Sequence, residues 1–226
     1  MAERVHEAEL VEAAREHLGP GFEGLAAFAD LLAAEGVLRG LIGPREVPRL
    51  WERHLLNSAA LEAFVPTTGT VIDVGSGAGL PGVVLACLRP DQRVVLVEPM
   101  ERRVAWLREV ATTLGLTSVE VHRGRAEELH GSLAAGTVTA RAVAPLDRLV
   151  RWCLPLVEPG GSLLALKGSR AAEEVPSAAR EISRLGGAPA EILAAEVGAG
   201  LAPTTVVRIR RVSGGVASPS RGRRRR

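Results

Sequence analysis

After Pro66 the chain changes rhythm, and that change limits the fold more than any other feature of the sequence. Short runs rich in Val, Ile and Leu alternate with stretches whose apolar residues recur at helical spacing. Strands are expected at 70–74, 93–98, 118–122, 137–142, 162–167 and 204–210, with a weaker one near 190–197. Helices are expected at 80–89, 100–114, 146–157 and 171–185. Such alternation dictates an α/β fold, a mostly parallel sheet covered on both faces. The last two strands have no helix between them and should close as an antiparallel hairpin.

Before Pro66 the pattern is helical. Residues 5–18 carry Leu10, Ala13, Ala14 and Leu18 on one face, and residues 22–35 carry Leu25, Phe28 and Leu32. Gly19-Pro20-Gly21 separates the two. Residues 46–63 read as a third, continuous helix. Its core side holds Leu50, Trp51, Leu55, Ala59 and Leu61, with Arg49, Arg53 and Asn57 on another face. The expected organisation is a helical cap over 1–66, an α/β domain over 67–213 and a tail over 214–226.

The tail "GGVASPSRGRRRR" holds five arginines and no acid, while the remaining chain carries 23 basic against 26 acidic residues. It has nothing to bury, and disorder is expected there. Of the 28 basic residues, 27 are arginine and Lys167 is the single lysine, so a lone arginine is weak evidence of function. No apolar run approaches the roughly 18–20 residues that span a bilayer. The acidic, amphipathic N-terminus lacks a signal-peptide layout, so a cytoplasmic protein is expected. Cys87 and Cys153 lie in helical stretches among Ala, Leu and Trp, as buried thiols rather than a disulfide or metal site.

The first strand ends in Asp73 and runs into Gly75, Gly77 and Gly79. In an open α/β sheet, ligands bind where this loop lies. The dinucleotide fingerprint fails, because its sixth position is Leu80 rather than glycine. The P-loop fails as well, since no Lys-Ser or Lys-Thr follows. Acid-x-Gly-x-Gly-x-Gly suits S-adenosylmethionine, whose amino-acid end needs an acceptor and close backbone N–H groups. A plain tight turn or another nucleotide remains open on the loop alone. Glu98, at the tip of the second strand, can accept both hydroxyls of an adenosine ribose, a feature that nicotinamide enzymes share. After the third strand, Ala126 and Glu127 either read the adenine edge or start a helix, where acids are favoured.

The fourth strand ends at Arg141-Ala142-Val143-Ala144-Pro145. It lacks the Asn/Asp-Pro-Pro-aromatic run of amine methylases, and Cys153 has no activating partner nearby in sequence. Tyrosine is absent from the chain. These absences favour a nucleophile that needs little activation.

Six segments resemble the bacterial glucose-inhibited division protein B family, the ribosomal RNA small-subunit methyltransferases G. They are "RHLLNS" at 53–58, "VIDVGSGAGLPGVVLA" at 71–86, "VEPMERRVAWLREV" at 97–110, "GRAEEL" at 124–129, "ARAVAPLDRLVRWCLPLVEPGG" at 140–161 and "LALKG" at 164–168. The resemblance spans roughly residues 25–212. It implies a class I Rossmann-like methyltransferase fold with an N-terminal helical extension. It further implies S-adenosylmethionine as methyl donor and N7 of a guanine in 16S rRNA as acceptor. The cofactor contacts it implies are Gly75, Leu80, Ala126, Glu127 and Arg141, with Glu98 at the ribose. Arg141 and Lys167 are the catalytic candidates: Arg141 would position cofactor or guanine. Lys167 would meet guanine O6 or a phosphate, or be a strand-end surface lysine. Arg53 and His54 would reach the site from the third helix, His54 more as a structural hydrogen-bonding group. The expected partner is 16S rRNA or the small ribosomal subunit, met by a monomer without metal or membrane. Many members carry Asn-Leu-Thr where this chain has "RGLIGPRE" at 39–46.

Overall fold

The computed structural model describes residues 2–141, 144–196, 198 and 201–212, with side chains from Glu9 onward. The arginine-rich tail lies outside the described residues. Seven strands form one sheet: β1 (Val71–Val74), β2 (Val94–Glu98), β3 (Val119–Arg123), β4 (Ala135–Arg141), β5 (Val157–Lys167), β6 (Glu191–Ala195) and β7 (Thr204–Arg210). Their spatial order is β3-β2-β1-β4-β5-β7-β6. The first five run parallel, while β7 pairs antiparallel with both β5 and β6. The terminal hairpin is thus as expected, with its second strand innermost.

Two strands start earlier than their patterns suggest. β4 begins at Ala135, and β5 at Val157 rather than 162. "EPGG" at 158–161 falls between the expected helix and the expected strand, yet its glycines extend the ladder. Gly160 N–H donates to Arg211 O at 2.7 Å and Gly161 O accepts from Arg211 N–H at 2.9 Å.

Alternation along the strands feeds two cores. Val71, Val94, Leu96, Leu164, Leu166 and Val206 point to one face. There they meet α1 (Ala2–Leu18), α2 (Phe22–Glu35), the 47–64 segment, α4 (Gly82–Leu88) and α5 (Glu101–Thr113). Ile72, Val95, Val97, Val138, Leu163 and Val207 point to the other, against α6 (Leu146–Cys153) and α7 (Ala171–Arg184). Both cysteines are buried and free, and burial pushes the Cys87 thiol up to about 12.

The third helix departs from expectation. It is not continuous over 46–63 but a series: a 3-10 turn (Val47–Arg49), a π-helical stretch (Trp51–Leu56), a short α3 (Asn57–Ala59) and a second 3-10 stretch (Ala60–Phe64). Its expected core residues are all buried, from Leu50 at 3% exposure to Leu61 at 0%. Two carbonyls of the π stretch, those of Arg53 and His54, accept from Arg141 across the molecule. Among the described residues no helix is long and apolar enough to cross a membrane.

Candidate functional site

The glycine loop is shaped by what stands behind it. Gly75, Gly77 and Gly79 all adopt positive φ, at 72°, 55° and 110°. L side chains rarely enter that region, which explains the glycines without a ligand. Gly82, the first residue of α4, serves a second need. A Cβ there would stand 2.3 Å from Leu96 Cδ2 and 2.7 Å from Asp73 Oδ2. The helix lies that close because Asp73 is wholly buried and accepts from Gly82 N–H at 3.1 Å. Asp73 also accepts from Thr139 Oγ1 at 3.0 Å, tying β1 to β4. Burial pushes its carboxyl up to about 6, against those hydrogen bonds. Asp73 is therefore the anchor of the loop, not an acceptor facing solvent.

Glu98 is also more than a strand-tip acid. It is 2% exposed and accepts from Gly77 N–H at 3.0 Å and Met100 N–H at 2.9 Å. A carboxylate has about four acceptor positions, so capacity remains for ribose hydroxyls. Most loop N–H groups are already committed: those of Gly75 and Ser76 to Val97 O, those of Gly79 and Leu80 to Ser76 O. Trp106 Nε1 donates to Ala78 O at 2.9 Å and fixes the outer bend.

A trench runs across the C-terminal ends of the strands, on both sides of the switch point between β1 and β4. Its first compartment, 240 Å³, is walled by Val74, Val97, Pro99, Ala126, Glu127 and Trp152. This apolar slot suits a flat heterocycle. Ala126 is buried and Glu127 exposed at its rim, on a 3-10 turn (Ala126–Leu129). Gly75 and Pro99 also line the second compartment, 540 Å³, which holds Leu80, Glu98, Arg103, His54 and Arg141. Arg141 in turn lines a third compartment of 370 Å³ with Asn57, Lys167, Arg170 and Glu174.

Arg141 is largely spent on the helical cap. Its Nη2 donates to Arg53 O at 3.0 Å and to His54 Nδ1 at 2.6 Å. Its Nη1 donates to His54 O at 3.2 Å and Ser58 Oγ at 3.3 Å. The π stretch splays these carbonyls toward the guanidinium, a geometry frequent at functional sites. His54 Nε2 donates to Glu46 Oε2 at 2.8 Å, so the ring is a neutral Nε2–H tautomer bonded on both nitrogens. Burial and the Arg141 charge hold its pKa below the ordinary value, with Glu46 opposing. Arg53 is exposed and enters the site through its carbonyl, not its guanidinium.

Lys167 is not a surface lysine. It is 8% exposed, donates to Ala144 O at 3.0 Å and pairs with Glu174 Oε2 at 2.7 Å. Burial pushes the Glu174 carboxyl up, but Lys167 and the Leu146 N–H outweigh it and hold the group below its usual range.

Two side chains were missed from sequence. Trp152 walls the first compartment from within a stretch read only as a helix. Arg103, five residues past Glu98, lines the second compartment; its Nη1 lies 3.9 Å from Glu98 Oε2, and its buried Nε has no hydrogen-bond partner among the described residues. The Glu98–Arg103 spacing, one turn into α5, is the signal that could have found it. Leu41, Ile42, Gly43 and Glu46 wall the trench too, so the segment that departs from the family pattern borders the site. Among the described residues no group of three His, Cys, Asp or Glu could hold a metal.

An acid-anchored glycine loop, a strand-tip carboxylate and an apolar slot fit S-adenosylmethionine, and the partly exposed Arg103 guanidinium borders the same compartment. The fold is shared with a solved precorrin-6y C5,15-methyltransferase of Geobacter metallireducens. That match has a TM-score of 0.52 at 13% identity and covers 76% of this chain and 90% of that one. Fold and site define a class I S-adenosylmethionine-dependent methyltransferase. A family model described as rRNA small subunit methyltransferase G matches residues 22–199. The ribosomal RNA small subunit methyltransferase G of a Nocardioides strain is 57% identical over 88% of this chain and 82% of its own length. That of Salinispora arenicola is 56% identical over 90% and 87%. The chain belongs to the rRNA small subunit methyltransferase G family.

Proposed function

We propose that this chain methylates N7 of one guanine in 16S ribosomal RNA, acting as a cytoplasmic monomer without metal. One observation carries the choice of nucleophile. The imidazole and carboxylates around the second compartment are already engaged: His54 on both nitrogens, Glu46 by His54 and Glu98 by two backbone N–H groups, while Asp73 behind the loop is wholly buried. Cys153, 0% exposed with its thiol pushed far up by burial, offers no thiolate. Guanine N7 has an in-plane lone pair and no proton to lose, so it needs no general base.

Bound S-adenosylmethionine supplies a methyl group on a cationic sulfur, an electrophile that a neutral nitrogen can attack. The residues do the rest by holding geometry. Ala126, Glu127 and Trp152 grip the adenine slot. Glu98 takes the ribose, Gly75 and Leu80 border the methionine end, and Arg103 meets its carboxylate. Arg141 stands between the cofactor side and the RNA side. Its charge opposes positive charge growing on the base, so its part is positioning rather than charge neutralisation.

Incubation with labelled cofactor and small subunits, stripped of protein or intact, tests the reading. Cleavage at N7-methylguanine should map to one guanine. Label at an exocyclic amine or a carbon would refute it. The rate should vary little between about pH 6 and 9, while a bell-shaped profile on the chemical step would demand a general base.

A further inference from the structure

The third compartment, beyond Arg141, has an unexpected composition for a surface that meets RNA. Its lysine is consumed internally, by Ala144 O and Glu174 Oε2. Beside the exposed Arg170 at its rim, it presents two free acceptors. Glu174 Oε2 takes both Lys167 Nζ and the Leu146 N–H, each at 2.7 Å, and Oε1 has no hydrogen bond among the described residues. Asn57 gives its amide N–H to Thr204 Oγ1, leaving Oδ1 without a partner there. A carboxylate beside a phosphate backbone repels it, so this one is placed for a donor-bearing group.

We propose that this compartment receives the target base and that Glu174 reads its donor edge through Oε1. The proposal rests on the guanine-N7 reading above. Methyl transfer requires N7 to face the trench at Arg141. O6 lies beside N7, and N1–H and the exocyclic N2 amine lie on the far side of the six-membered ring, toward Glu174. Guanine sets those two donors side by side. Adenine also has an N7, but it would turn the N1 lone pair toward the carboxylate, which is repulsive. Glu174 thus separates the two purines that share the nucleophile. Lys167 is the positioning residue that fixes its carboxylate.

The test uses small-subunit RNA carrying guanosine, inosine or adenosine at the position that the wild-type protein methylates. Inosine keeps N7 and N1–H and lacks only the N2 amine. Wild-type protein should methylate guanosine over inosine by roughly tenfold or more in kcat/KM, the loss expected for one hydrogen bond to a charged acceptor. It should leave adenosine unmodified. Glu174→Gln should fall toward the inosine level on guanosine and lose most of the guanosine-to-inosine ratio, while cofactor affinity by calorimetry stays unchanged. Lys167→Met should also lower the ratio and Lys167→Arg restore it, which loss of fold alone would not do. Equal wild-type rates on guanosine and inosine overturn the proposal even if Glu174→Gln fails to fold. A wild-type ratio kept in a folded Glu174→Gln overturns it too. Absence of N7 methylation on the guanosine RNA would instead refute the parent reading.

Discussion

Asp73 shows how one side chain holds a loop at a cost to the fold. Its folded pKa is about 6 against an ordinary 3.8. A raised carboxyl contributes stability that is full below the lower value and lost as pH rises through the upper one. Wild-type stability should therefore gain on acidification from about pH 6 toward 4, by on the order of 3 kcal/mol at most. An asparagine side chain in its place would accept from Gly82 N–H and donate to Thr139 Oγ1, so Asp73→Asn should fold and lack this slope. Asp73→Ala leaves two buried donors unpaired and should cost about 2–4 kcal/mol in denaturant unfolding. Arg141 carries a different lesson. Its fork serves four acceptors at once, which an ammonium cannot match. Arg141→Ala and Arg141→Lys should both slow single turnover by roughly a hundredfold, the scale of a misplaced reactant. Unchanged single-turnover rates would make it purely structural. The sequence pointed to both residues but misread their surroundings. Asp73 headed an acid-x-Gly-x-Gly-x-Gly pattern suited to S-adenosylmethionine, and nothing in that pattern marks the acid as buried. Its burial depends on Thr139 and Gly82, which only the sheet register brings to it.

At the scale of elements, the strands were legible because each is a short apolar run between turn residues. The third helix was legible in phase but not in winding. Its buried face follows from spacing alone, whereas the carbonyls of the π stretch meet a guanidinium 88 residues away. No local pattern encodes such a partner. Likewise β5 starts early because Arg211 completes its ladder at Gly160 and Gly161, another long-range contact. The winding has a consequence for pH. His54 accepts at Nδ1 only while neutral, and its pKa lies below the ordinary 6.5. A depressed histidine contributes stability that is present above pH 6.5 and lost as pH falls through the folded value. Protonation would set Nδ1–H against Arg141. His54→Asn, whose Oδ1 can replace Nδ1, should remove this acid-side loss from a plot of Tm against pH. The Asp73 effect has the opposite sign, so the two variants separate them.

Across the whole molecule, the trench was legible in outline: loop, ribose acid, adenine slot and fourth-strand arginine all border it. Trp152, Arg103 and the fate of Lys167 were not, since each depends on which neighbour packs opposite. The basic tail belongs to this scale too. Five arginines near phosphates would release counterions, so deleting 214–226 should weaken RNA binding at low salt and flatten its salt dependence. The methylated nucleotide should not change; identical salt slopes would leave the tail without a role. The cap is a different matter. Residues of α2 and the 47–64 segment share one continuous core with β1, β2, β5 and β7. Arg39 bridges it to α5 through both oxygens of Glu109, at 2.7 and 2.9 Å. Anyone grafting this catalytic sheet onto another protein, or exchanging caps between relatives to retarget it, must move residues 22–64 along with their seat. The segment that resembles an appendage in the linear chain is built into one of the sheet's two cores, and it also carries a wall of the trench.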